Sequence, residues 1–248
     1  MRCVPPLRAD RRPGVAAGPV AALLCLVLAA AGCQRAALPL STADAAGEPW
    51  RLPAAELATQ RLLRVTYDGP EGEGSFKLTL RLAADGRYQA RAVDPFGRAL
   101  WSLDAAGDRG LWLDHRAEVA CRLDGRFDLA AAQLTPFPLS ALPALLLGRL
   151  PEPPVGGVER DGDRVEFRDA DGRRWSARLE AGLPVAWTLW VDGEPAAWWR
   201  GGGGEASLSD RLRQTQLRWR QVVREELGAD LGEASVPDGY RLVSCGEI

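Results

Sequence analysis

Histidine is almost missing from this sequence. The single one, His115, excludes a multi-histidine metal centre, and a Ser/His/Asp triad would have to use it as the base. It sits in Leu-Asp-His-Arg between two strand-like runs, a setting that reads as a surface turn. Lysine is as rare: Lys77 stands alone among 31 basic residues, the rest arginine, which looks like compositional bias and not a site. No basic block occurs and the formal net charge is −2, so nucleic acid is not the expected partner. Gly-x-Ser-x-Gly, a paired-carboxylate motif and metal-ligand spacing are all absent. Gly201–Gly204 lacks the Lys-Ser/Thr that a phosphate loop needs, and reads as a flexible hairpin loop. Enzyme is therefore the reading with least support, and neither metal nor cofactor is expected.

Also lacking is an apolar run of the roughly 20 residues that a bilayer-spanning helix requires. What stands at the N-terminus is shorter. Arg2, Arg8, Arg11 and Arg12 form a positive start, Val20–Leu28 is a compact apolar core, and Ala29-Ala30-Ala31-Gly32-Cys33 closes it with small residues. That order describes a secretory signal. Its ending resembles the bacterial lipobox, with Ala30 in place of the usual leucine, and the resemblance implies a lipid on Cys33 after removal of 1–32. Gln34 follows; the absence of aspartate there favours the outer membrane over inner-membrane retention. The expected location is the periplasmic face of the outer membrane, lipid-anchored.

Removing residues 1–32 from 248 leaves 216, an ordinary single domain. The 31 basic residues lose the four N-terminal arginines and the 33 acidic ones lose Asp10, leaving 27 against 32. Besides Cys33, Cys121 and Cys245 survive processing. They could form one bridge in an oxidising compartment, or remain a buried thiol and a loose terminal one. Residues 33–52, rich in Ala, Pro, Ser and Thr, read as a flexible tether to a domain over 53–248. Pro53–Leu63 reads as a short helix, with Ala54, Leu57, Ala58 and Leu62 at helical spacing.

From Arg64 the period changes to two. Phe76, Leu78, Leu80 and Leu82 alternate with Lys77, Thr79 and Arg81, and similar runs recur through Trp101, Cys121, Phe167, Leu189 and Trp219. Asp-Gly pairs at 68–69, 85–86, 124–125, 161–162, 171–172, 192–193 and 238–239 punctuate them, and Asp-Gly between alternating runs is a hairpin signal. An antiparallel meander of about ten strands follows, and a sheet that large must curl, close or split. One stretch interrupts it. After a turn that Asp128 could cap, residues 135–148 carry Ser140 as N-cap, Leu142, Leu145 and Leu146 as an apolar face, and Gly148 as a stop. An apolar helix in mid-meander must bury itself against the sheet. Nine tryptophans could line a cavity for apolar ligands, although strand-borne aromatics are more often plain core.

Two segments resemble the LolB-type outer-membrane lipoprotein receptors. Val93-Asp94-Pro95-Phe96-Gly97 stands where that family has an Asn/Asp-Pro-Leu-Gly-like turn. Phe137-Pro138-Leu139-Ser140-Ala141-Leu142, followed by Leu147-Gly148-Arg149-Leu150-Pro151, resembles its proline-leucine entry, helix and Gly-Leu-Pro exit. The likeness covers roughly 60–200; Phe96 replaces leucine, Arg149 is inserted in the exit, and the tail beyond Gly204 is longer. The resemblance implies an incomplete antiparallel barrel with a helical lid. It also implies an acyl-chain cavity beneath Leu142, Leu145 and Leu146. The implied partners are lipoprotein acyl chains, a periplasmic lipoprotein carrier and membrane lipid, for a protein working as a monomer. It further implies that the loop carrying Pro95 and Phe96 engages the bilayer, since Asp94-Pro95-Phe96-Gly97 fits a type I turn with Phe96 on its tip. A lipoprotein of the same fold binding another lipid or glycolipid, or serving as an envelope scaffold, is the alternative.

Overall fold

Alternation of apolar and polar side chains builds most of this chain into strands. A computed structural model describes residues 49–248, apart from 71, 128–133, 203, 229 and 248. Cys33, the signal 1–32 and most of the tether lie outside the described residues, as does the turn expected from Asp128. The first half comprises β1 (Thr59–Gly69), β2 (Gly72–Leu82), β3 (Tyr88–Val93), β4 (Ala99–Ala106), β5 (Arg109–Asp114) and β6 (Val119–Asp124). The short β7 (Arg126–Phe127) and β8 (Phe137–Pro138) pair only with each other. The second half comprises β9 (Glu159–Asp161), β10 (Arg164–Arg168), β11 (Arg174–Glu180), β12 (Leu183–Val191), β13 (Glu194–Gly202), β14 (Glu205–Asp210) and β15 (Thr215–Glu226). A last strand, β16 (Arg241–Leu242), follows near the C-terminus.

These form one 14-stranded sheet in the order β16-β6-β5-β4-β3-β2-β1-β15-β14-β13-β12-β11-β10-β9. The order is linear, so the sheet curls without closing into a barrel. Fourteen strands exceed the ten expected, because strands as short as β9 and β16 carry no readable period. The long tail is integral to the sheet. β15 pairs with β1 from Thr59↔Glu226 to Asp68↔Gln216 and welds the two meanders together.

The expected helix over Pro53–Leu63 is not there. Only a 3-10 turn forms, Ala54–Glu56, and β1 begins at Thr59. Helical spacing of the alanines and leucines competed with a period-two pattern, in which Thr59, Arg61, Leu63 and Val65 are all buried. The second pattern won because it adds a central strand to the sheet. Arg61, 1% exposed, is held by an ion pair with Glu56 and a hydrogen bond to the side-chain oxygen of Gln221. Burial and the nearby Arg224 lower its pKa to about 10.

The Asp-Gly pairs mostly make the expected turns. At β12–β13, Asp192 and Gly193 both take positive φ (51° and 80°), the geometry a two-residue hairpin demands. The pair at 238–239 is different. It leads into β16, which runs parallel to β6, so here the meander is broken. Before reaching that strand the tail crosses the outer face, where Val236 and Tyr240 cover Leu111, Leu113 and Ala120. It then turns inward, and a disulfide joins Cys245 to Cys121. His115 is no bystander in a surface turn. It is half-buried, its Nδ1 lies 2.7 Å from the Tyr240 hydroxyl and its Nε2 3.1 Å from Ser102 Oγ, so the tail is tied to it. Burial first, then Arg91, lowers its pKa and favours the neutral ring.

Candidate functional site

The concave face of the sheet is lined by one large apolar cluster, and the interrupting segment sits in it. A 3-10 turn, Leu139–Ala141, runs into a short α-helix, α1 (Leu142–Leu146). Pro143 stands in the first helical turn, where its missing N–H has no intrahelical partner to lose. Gly148 at φ 76° ends the helix, donating to the Leu145 carbonyl at 3.2 Å. Ser140, the expected N-cap, does not cap. It is absorbed into the 3-10 turn, and Ala141 occupies the cap position without a side-chain bond.

Leu142, Leu145 and Leu146 are 8%, 2% and 8% exposed, and Leu139 and Leu150 are fully buried. A helix apolar all round must lie inside a protein, and this one fills the concavity like a plug. The plug is fixed by few polar contacts. The Tyr88 hydroxyl donates to the Leu139 carbonyl at 2.7 Å, and Trp219 Nε1 donates to the Leu146 carbonyl at 3.0 Å. Burial raises the Tyr88 phenol far above its ordinary value, so it stays a neutral donor. Gly110 lets Leu139 come close: a Cβ there would meet Leu139 Cδ2 at 2.8 Å.

Aromatic rings line the concavity on both sides. Trp101 and Trp112 stack at 4.6 Å on the first half of the sheet. On the second half Trp175 and Trp187 lie 5.1 Å apart, and Trp187 and Trp199 lie 6.4 Å apart. Those last three are almost wholly buried and serve as core. A groove of about 1170 Å³ lies elsewhere, against the outer face between Arg87, Leu111, Arg122, Leu231 and Val236.

Charged residues clasp the plug at both its ends. Arg126, from β7, donates to the Pro136 carbonyl at 2.8 Å, pairs with Asp171 at 2.6 Å and approaches Glu152 at 3.4 Å. Glu152 is buried beyond the plug's exit and pairs with Arg173, which also holds Asp169 at 2.7 Å. Asp169 accepts from Trp175 Nε1 as well, at 2.8 Å. Arg126 follows β6 near one end of the sheet order, and Asp169–Arg173 form the β10–β11 turn near the other, so the clasp spans the open seam. Burial pushes the Glu152 carboxyl up, against the pull of Arg173 and Arg126. Burial pulls Asp169 the same way, but its bonds from Trp175 and Arg173 prevail and hold it below the ordinary range.

The sequence reading missed this clasp, although a signal was present. Asp-x-x-Gly-Arg occurs at both 94–98 and 169–173. In each turn one aspartate oxygen accepts the backbone N–H groups two and four residues on, and the other accepts Arg Nε. In the first of these turns the Gly97 N–H also bonds the Asp94 carbonyl at 3.0 Å, closing the expected type I turn. Phe96 is 87% exposed on its tip beside exposed Pro95, with the Arg98 guanidinium 5.8 Å over its ring. Phe96 and Pro95 therefore stand on the rim, apart from Leu142, Leu145 and Leu146 in the interior. Cys121 is buried in the same apolar cluster as those leucines, with Cys245 packed against it, and their bridge staples the tail near the sheet's first edge.

No protein-family model matches the chain, and no curated protein matches it. Among solved structures it is similar to a LolA superfamily protein from Nitrosomonas europaea, at 13% identity over 75% of this chain and 91% of that one, with a TM-score of 0.49. It is also similar to a domain described as an outer membrane lipoprotein-sorting protein from Vibrio parahaemolyticus, at 7% identity over 71% and 88%, with a TM-score of 0.46. A DUF1329 family protein from Desulfovibrio piger shares 10% identity over 69% and 87%, with a TM-score of 0.43. Among the described residues no helix is long and apolar enough to cross a membrane.

Proposed function

We propose that this protein is a lipid-anchored, monomeric module that receives lipoproteins through their acyl chains and inserts them in the outer membrane. The observation that carries the reading is the plug. A five-residue helix fills an apolar concavity in an unclosed sheet and is fastened to the sheet's side chains through Tyr88 and Trp219. Lifting it would open an apolar trough to acyl chains, which bury about 0.8 kcal/mol per methylene. Such cargo cannot cross an aqueous compartment unshielded, so a periplasmic carrier would deliver it. An acyl group on Cys33 would keep the acceptor beside the bilayer, and Phe96 would enter that bilayer during release. No bond is made or broken, so the proposal is a binding protein and not an enzyme. The test is to isolate the full-length protein from membranes in mild detergent and identify bound molecules by mass spectrometry. Recovery of acylated lipoprotein supports the reading; an empty protein that also fails to move lipoprotein from carrier to liposomes sinks it.

One observation favours a second reading. Trp175, Trp187 and Trp199 fill the β11–β13 side of the concavity with buried rings. A narrower occupant, another lipid or glycolipid, or a scaffolding role in the envelope, would suit that. The same extract decides, by yielding such a lipid without lipoprotein.

A further inference from the structure

Eight large apolar side chains are exposed among the described residues, and the three most exposed share one rim of the sheet. In an antiparallel meander the turns alternate between two rims. The β1–β2, β3–β4, β5–β6, β10–β11, β12–β13 and β14–β15 turns fall on one, and the β2–β3, β4–β5, β9–β10, β11–β12 and β13–β14 turns on the other. Phe96, 87% exposed, tips the β3–β4 turn, and Leu212, 60% exposed, tips the β14–β15 turn. Val155, also 60% exposed, is brought to the same rim by its N–H, which donates to the Arg168 carbonyl at the end of β10 at 2.8 Å. The described turns of the opposite rim carry no exposed large apolar side chain. Nothing in these turns' backbone calls for Leu212 or Val155, and an exposed apolar tip has hydration free energy to recover on burial.

Two further observations say what would cover them. At the tips Arg98 pairs with Asp94 at 2.6 Å and Arg211 with Glu194 at 2.8 Å, while exposed Arg213 beside Leu212 forms no ion pair among the described residues and is a cation that an anionic headgroup layer would accept. The described chain also begins on this side. The Pro49 carbonyl accepts from the Leu150 N–H, and Trp50 lies 6.2 Å from Phe167, the neighbour of Arg168. Cys33 lies sixteen residue steps before Pro49 (49 − 33), so even a fully extended chain could carry it no more than roughly 56 Å away. A lipid on Cys33 would thus hold this rim near the bilayer. We infer that the rim is a bilayer-docking surface, on which Val155 and Leu212 enter the headgroup–acyl boundary together with the Phe96 turn. Four strand spacings, roughly 19 Å along the sheet, separate the Phe96 and Leu212 turns. Contacts that far apart orient the mouth of the concavity as well as anchoring it. The inference rests on the proposed role as a membrane-tethered lipid carrier.

The test uses the full lipidated chain in vesicles of phosphatidylethanolamine and phosphatidylglycerol. Leu212→Cys, Val155→Cys and, on the opposite rim as reference, Asp108→Cys are each labelled with an environment-sensitive NBD group. Cys33 is then acylated and Cys121 bridged to Cys245, so only the new thiol reacts. The expected result is a blue shift and quenching by spin-labelled lipid at 212 and 155, and neither at 108. Labels at 212 and 155 that stay as wet as the one at 108 overturn the inference. Because the readout is depth and not cargo, the two ideas fail separately. Lipoprotein capture with unshifted labels rejects the rim alone, while shifted labels without capture reject the carrier and leave the rim.

Discussion

Tyr88→Phe should tighten the binding of apolar ligands while removing a contact. Tyr88 is 2% exposed, and its hydroxyl donates to the Leu139 carbonyl at 2.7 Å. That bond exists only while the plug is seated; once the plug lifts, both groups can meet water. The Leu139 carbonyl keeps its bond from the Leu142 N–H, so the deletion does not orphan it. The net cost to the closed state is then about 1 kcal/mol. That raises the ratio of open to closed molecules roughly fivefold, and a ligand that binds only the open state gains the same factor in apparent affinity. Titration with a fluorescent fatty acid measures this, with melting in parallel to show that the variant is folded. Ser140→Ala, exposed on the same segment, should change nothing. A folded Tyr88→Phe protein with unchanged or weaker affinity would refute the reasoning, because the plug would then be core in the ordinary sense and open only on unfolding.

Phe96→Glu should melt within about 0.5 kcal/mol of the parent, since an exposed tip contributes little to folding; it should still bind lipoprotein but release it poorly into liposomes, and full release would end the wedge idea. Acid should act on the clasp with two signs. Glu152 has a raised pKa, so the fold gains stability as pH falls towards the usual 4.5 and Glu152 takes up its proton, whereas Asp169, held below 3.8, contributes stability above that value which is lost as pH falls further. Melting curves against pH should therefore rise before they fall, and Glu152→Gln should reduce the rise, leaving the share of Asp104, whose carboxyl burial also pushes up; an undiminished rise in the variant refutes the assignment to Glu152. Cys245→Ser opens a loop of sequence separation 124, for which chain entropy sets a ceiling of about 5 kcal/mol, or roughly 10–15 °C in melting temperature. Equal melting with and without reductant would mean that β16 and the Tyr240–His115 contact hold the tail unaided.

How much of this was legible depends on the length over which each pattern runs. β2 has eleven residues and β15 twelve, enough for alternation to be read without neighbours. β9 and β16, with three and two, exist because a neighbouring strand offers an edge, and nothing local announces them. The 53–63 segment shows the contest directly. Its alanines and leucines recur at helical spacing, and that local preference was overridden by a place in the sheet centre between β2 and β15. Nothing in the local pattern marks Arg61 for burial, yet the sheet packs it against Glu56 and Gln221.

The candidate site divides along the same line. The plug could be read because Gly148 punctuates its end and its leucines are unrelieved by charge, although its helix starts beyond Ser140, the expected cap. That it lies buried on every side could not be read, since burial depends on a sheet assembled from residues far away in sequence. The clasp is the extreme case: Arg126 and Arg173 are 47 residues apart (173 − 126), and only curling of the sheet brings both to Glu152. The repeated Asp-x-x-Gly-Arg was nevertheless visible in the chain. It marks two turns with the same internal bonding and opposite uses. In one the motif lifts Phe96 into solvent; in the other it aims Arg173 inward at the plug's exit. The turn chemistry is local, and which way it points is decided by the strands that bear it.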